Sequence, residues 1–285
     1  MPRRHLLLAA AVVALLALLP LSGSTYLLYL FTQVLIFVLF ATSLNLLIGY
    51  AGLVSFGHAA FFAIGGYGCA ILLRSYGVPL LLCVRLTSYY FSMLTLAFGQ
   101  LVWAVVFKWR SMTGGDDGFL RIVSPSWIDT PASFFLFTLV LVTLAMVALW
   151  IVAHSPLGRT LMAIRENQVR AGFLGVHTRR VQLVAFIIAG TFAGLAGALF
   201  ALFNRSIFPD SAWWLQSAEV LIMVVLGGMN SFFGPAVGAL TLILLGRLTL
   251  ELTAFWPALL AIILIATLFF FPSGIAGLLK ARGRR

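Results

Sequence analysis

A chain of 285 residues in which 62% are hydrophobic and only 9% are charged cannot clothe a soluble domain, which carries about 25% charged residues. The net charge of +11 does not mark a nucleic-acid binder either, because the basic residues are scattered over short connections and a tail instead of forming one face with interleaved aromatics. The solvent is a bilayer, and each apolar run must supply about 20 residues to cross its roughly 30 Å of hydrocarbon.

Apolar length and polar punctuation predict helices over residues 6–21, 27–48, 59–73, 89–107 and 134–152, then over 183–203, 219–248 and 255–271. The first begins after Arg3 and Arg4 and precedes Ser22-Gly23-Ser24, as a signal peptide would. A second span follows at once, so it is read as an uncleaved helix. The span over 219–248 is interrupted at Gly227-Gly228 by turn-forming residues. Such a break must be enclosed by protein or line a cavity, and broken helices mark solute routes in many transporters. Glu219, Gly227 and Gly228 are therefore candidates for a substrate pathway. A plain tight turn is the competing reading, and an acid near a helix start is also stabilised there by the helix dipole.

Lys and Arg in short loops set orientation. Arg3 and Arg4, the group Arg159, Arg165, Arg170, Arg179 and Arg180, and the tail of Lys280, Arg282, Arg284 and Arg285 are all expected in the cytoplasm, with both termini. Residues 108–131 and 204–217, which hold Asp210, Trp213 and Trp214, fall on the opposite side. Five predicted helices between two cytoplasmic points leave one crossing unaccounted for. Residues 77–89 stand in its place, an apolar stretch about half as long as a span requires and interrupted by Arg85. Small residues at Gly190, Gly194, Gly197, Gly234 and Gly238 recur at helix-packing spacing. Cys69 and Cys83 show neither a pairing nor a metal-ligand spacing.

Catalysis finds little support. A phosphate-binding loop ends in Gly-Lys-Ser/Thr, and no Gly-Lys pair occurs in the chain, so any ATP dependence must come from a partner. No cofactor and no metal are expected. Ion-coupled carriers need ionisable residues inside the membrane, whereas of the acids only Glu219 begins an apolar run; Glu251 is expected in a connection before the last helix. The four histidines are too dispersed for a hydrolase, and His58, in Ser55-Phe56-Gly57-His58, is read as orienting a helix entry. What remains is the basic loop, residues 154–182. From Arg159 it has a helical pattern that places Leu161, Ile164, Val169, Phe173 and Leu174 on one apolar side, suited to headgroups or to a groove on another protein.

Within that loop, Ala163-Ile164-Arg165-Glu166-Asn167-Gln168-Val169-Arg170-Ala171, with Gly175 four residues on, resembles the coupling motif of ABC-importer permeases, specifically branched-chain amino acid permeases of the LivM type. The stretches from Leu44 to Gly52, Ser55 to Phe62, Tyr90 to Phe98, Thr113 to Gly118 and Val225 to Met229 are similar to the same family in order. The resemblance implies one polytopic all-α permease domain over residues 1–285, of about 8–9 membrane segments, in a bacterial inner membrane. It implies a transport subunit, not an enzyme, with a second permease chain, two cytoplasmic ATPase subunits and a periplasmic solute-binding protein as partners. The docking surface for the ATPase would be Arg165, Glu166, Asn167, Arg170, Ala171, Leu174 and Gly175. Branched-chain or related amino acids are the expected solutes, with urea or short amides as the alternative. The family usually has a longer span before the Tyr90 segment, so a truncated, nonfunctional paralogue or membrane scaffold is a further alternative. Gly172 stands where a larger polar residue is common, and glycine weakens a helix there by roughly 1 kcal/mol relative to alanine.

Overall fold

Inside hydrocarbon a backbone amide has no water to bond, so apolar runs close their hydrogen bonds internally as helices. The computed structural model describes residues 3–72, 88–122, 128–252, 261, 265 and 274–277, and these form a helical membrane bundle. The span predicted at 255–271 and the shortened stretch at 77–89 fall, but for isolated residues, outside them. So do Cys83, Arg85 and the basic tail.

Helix α1 (Arg3–Ala17) leads through a 3-10 turn to α2 (Thr25–Asn45), whose first turn is capped by the Ser24 hydroxyl accepting the Leu27 amide. A π turn, Leu46–Ala51, continues α2. Next come α3 (His58–Leu72), α4 (Ser88–Lys108), the single turn α5 (Arg110–Thr113) and α6 (Pro131–His154). The basic loop holds α7 (Pro156–Glu166) and α8 (Gln168–Phe173), and α9 (Thr178–Asn204), α10 (Trp214–Gly227) and α11 (Gly234–Leu252) follow. α11 runs past residue 248, so Glu251 lies in its last turn and not in a connection. Among the described residues, Thr25–Ala51, Pro131–His154 and Thr178–Asn204 are each long and apolar enough to cross a membrane unaided.

α2 is apolar all round, the pattern of a helix with no solvent face, and it forms the axis of the bundle. Ile36, Leu39, Phe40, Leu44 and Leu47 are fully buried against α6, α9, α10 and α11. α3 packs on α9 at backbone distance, because Gly65 meets the Gly194 backbone and Gly197 meets the Phe62 carbonyl with no room for a Cβ. The recurrent glycines thus serve internal packing. α10 and α11 form an antiparallel hairpin, Gly238 lying on the Met223 carbonyl and Gly227 on Gly234.

Each end of the bundle has its own set of connections. At one end Phe119 pairs with Ile207 in a two-residue antiparallel ladder, Tyr67 donates to the Ile207 carbonyl at 3.4 Å, and Trp103 meets Trp213 edge to face. The two connections expected on a common side are joined there. At the other end lie the π turn, α7, α8 and the α10–α11 turn.

Between these ends runs a discontinuity that apolar length did not reveal. After Ala51 the chain turns back without helix or strand, with Leu53 and Ser55 buried, and α3 starts beside Ser43, about two turns before the end of the π turn that continues α2. The Ser43 hydroxyl donates to the Phe40 carbonyl at 2.7 Å, which leaves it to accept from His58 Nε2 at 2.9 Å. The His58 ring lies flat on Phe40. The Ala59 amide, one of the free donors at a helix start, is met by the Ser217 hydroxyl at 2.8 Å. His58 does orient a helix entry, at a depth where side chains must replace water.

Candidate functional site

The basic loop is built as two helices joined at a step at Asn167. Pro156 opens α7 at a position where its missing amide costs nothing. α7 ends because Asn167 adopts an extended conformation, φ −158°, and its side chain accepts the Arg170 amide at 2.8 Å to cap α8. α8 ends in a Schellman motif: the Val176 amide reaches the Ala171 carbonyl at 3.2 Å and the Gly175 amide the Gly172 carbonyl at 3.0 Å. Gly175 is left-handed there, φ +83°. The four-residue interval between Ala171 and Gly175 is thus the spacing between the start of this motif and its left-handed residue.

The step at Asn167 splits the expected apolar side. Leu161 and Ile164 are buried under α7, whereas Val169, Phe173 and Leu174 are 68%, 87% and 79% exposed. At 100° per residue Ile164 and Phe173 lie on opposite faces even of an uninterrupted helix, so the single apolar side expected from the sequence does not form. Instead α7 faces the bundle and α8 turns a bare apolar face away from it.

The residues assigned to docking fall in three places. Glu166, Arg170, Leu174 and Gly175 are exposed. Ala171 is buried beneath α8, and Asn167 is occupied as the cap. Arg165 is exposed too, but its side chain ends against the bundle: one guanidinium nitrogen donates to the Gly49 carbonyl in the π turn, the other to Asn230 Oδ1 at 3.2 Å in the α10–α11 turn. Beside it Asn45 Nδ2 donates to the Ser231 carbonyl at 3.3 Å, and Gly49 lies against the Met229 carbonyl. The sequence reading missed Asn45, Gly49 and Asn230. An amide inside the run Leu44 to Leu47 was the available signal for the first.

The substrate-pathway candidates do not gather. Gly227 and Gly228 form the start of the hairpin turn, packed on Gly234 and Gly274. Glu219 sits in the second turn of α10, where Gln216 Nε2 donates to it at 3.3 Å. An open cleft at the Trp213 end is lined by Leu28, Thr32, Phe134 and Leu202 with the ion pair of Arg205 and Asp129 at 2.5 Å, and none of the three lines it. Among the described residues no group of three or more His, Cys, Asp or Glu could hold a metal ion.

The family described as "Branched-chain amino acid transport system / permease component" matches residues 26–84 and 77–272, two stretches that meet at the short region before α4. The high-affinity branched-chain amino acid transport system permease protein LivM of Escherichia coli (strain K12) is 29% identical over 86% of this chain and 68% of its own. The autoinducer 2 import system permease protein LsrC of Photorhabdus laumondii is 32% identical over 57% of this chain and 50% of its own. The permease protein LivH of Escherichia coli (strain K12) is 32% identical over 47% of this chain and 44% of its own. No solved structure matches the chain. With a membrane bundle and a matched family that covers nearly all of it, the chain belongs to the branched-chain amino acid transport system permease components.

Proposed function

We propose that this chain is the membrane-spanning permease subunit of an ATP-driven importer in a bacterial inner membrane, with the basic loop and both termini in the cytoplasm. Its solutes are branched-chain or related amino acids. It works with a second permease chain, two ATPase subunits that hydrolyse ATP in its place, and a periplasmic solute-binding protein. Closure of the ATPases moves the loop and switches the bundle between outward and inward access.

One observation carries this reading. α8 is a short, firmly capped helix that projects Val169, Phe173 and Leu174 away from the bundle at 68%, 87% and 79% exposure, flanked by Glu166 and Arg170. An apolar helix face with a charged rim fits a groove on another protein. The amino-acid assignment rests on the family and on the LivM relative; the LsrC relative, whose name gives autoinducer 2 import, makes the solute the part most in need of an assay.

The test is co-purification of the ATPase subunits with the permease complex, together with uptake of labelled leucine, isoleucine and valine. The double substitution Phe173→Ala, Leu174→Ala removes most of the exposed face and should release the ATPase subunits and abolish uptake, while the permease still inserts in the membrane. Retention of the ATPases with normal uptake would overturn docking through α8, and a wild-type complex that holds no ATPase or imports no solute would sink the importer reading. Wild-type complex that imports none of the three amino acids but does import another solute would overturn the substrate assignment alone.

A further inference from the structure

Arg165 is the last basic residue of α7, two positions from the step at Asn167 that opens α8, yet it does not point where α8 points. Its stem lies across Gly52, where a Cβ would come within 2.9 Å of the arginine Cγ. Its guanidinium spans two separate turns, donating to the Gly49 carbonyl and to Asn230 Oδ1. Those turns already touch one another through Asn45 and Ser231 and through Gly49 and Met229. The π turn is the end of the axial helix α2 and leads directly into the backbone that enters α3. The other turn joins the hairpin α10–α11. One side chain therefore links the loop to both places where the bundle's helices are interrupted.

We infer that Arg165 is the positioning residue that couples the loop to transport, tying α7 to the Gly49 turn and the Asn230 turn so that displacement of α8 moves both together. Arginine suits this task because its planar guanidinium presents donors along two directions at once, whereas a lysine ammonium on a flexible stem reaches one acceptor well. Hydrogen bonds to a charged donor are among the stronger ones. A step capped by Asn167, whose side chain accepts the Arg170 amide, lies between the exposed face and this arm.

The inference rests on the proposed importer function, and the experiment separates the two. Intact complex carrying Arg165→Ala, Arg165→Lys, Asn230→Ala or the Arg165→Ala, Asn230→Ala pair is assayed for ATPase co-purification, ATP hydrolysis and uptake, beside the Phe173→Ala, Leu174→Ala variant. Arg165→Ala should keep its ATPase subunits, hydrolyse ATP within about twofold of wild type, and lose uptake by roughly tenfold or more, the effect of one charge-assisted hydrogen bond. Lysine should restore part of it, and the pair should be no worse than Arg165→Ala alone. Normal uptake in Arg165→Ala overturns the inference, as does release of the ATPase subunits, which would make Arg165 a docking residue. Losses that multiply in the pair also overturn it. Should Arg165→Ala fail to insert, Asn230→Ala decides, since Asn230 is an exposed turn residue and must show the same split between hydrolysis and uptake. If instead the wild-type complex holds no ATPase or imports no solute, the importer reading itself has failed.

Discussion

At the scale of single residues the bundle is held by groups that replace water. The Ala59 amide is buried at a helix start, and Ser217 Oγ is the acceptor it has. Serine to alanine at 217 leaves that donor unpaired in a site with no exposure, a loss of about 1–3 kcal/mol. The purified complex should therefore unfold at a lower temperature in detergent, and a Tm equal to wild type would show that another acceptor takes over. Glycine contacts make a sharper pair. A Cβ at Gly197 would overlap the Phe62 carbonyl on α3, while one at Gly68 meets nothing within 4 Å. Gly197→Ala should destabilise by about 1–3 kcal/mol through overpacking. Gly68→Ala should be neutral or gain up to about 1 kcal/mol in helix propensity. Both are glycine-to-alanine changes inside helices, one in α9 against a backbone and one in α3 against open space, so thermal melts of both separate packing from propensity.

Among the elements, α8 is the one whose stability follows most directly from its sequence. It has six residues, too few to persist in isolation, so its cap, its Schellman end and the anchorage of Ala171 hold it. Gly172 is exposed and a Cβ there would meet nothing within 4 Å. Alanine at 172 should stabilise the helix by roughly 1 kcal/mol and slow amide exchange over residues 168–173. Valine at 175 would be forced into the left-handed region at a cost of about 1–2 kcal/mol and should speed exchange over the same residues. Equal exchange in both would mean that packing alone fixes α8. The helices and the loop were legible in the sequence because apolar length and basic punctuation are local signals. The step at Asn167 was not, since the helical pattern continues through an asparagine that is equally suited to begin a new helix. The non-helical run before His58 was hidden for a different reason: it is held by Ser217 and by contact of Gly57 with the Thr95 carbonyl, both distant in sequence. Arg165 stood out as a loop residue, but its partners lie 116 and 65 positions away and no local pattern connects them.

For the whole molecule the decisive quantity is sidedness. α3 and α4 run parallel, because Gly57 meets the middle of α4 while Tyr67 and Val106 share the cluster around Ile207. α6 gives a cleaner measure. It spans 24 residues with Asp116 before it and Glu166 after it, both exposed, and a single crossing separates them. The proposed cytoplasmic placement of that end rests on the arginines that follow α6, Arg159, Arg165, Arg170, Arg179 and Arg180, and on the positive-inside rule. With Cys69 and Cys83 replaced by serine, a cysteine at 116 should react with a membrane-impermeant maleimide in spheroplasts, and a cysteine at 166 only after permeabilisation. Labelling of both from outside would contradict the single crossing of α6. Labelling of 166 alone would keep the bundle but invert it, putting α8 and Arg165 out of reach of any cytoplasmic ATPase.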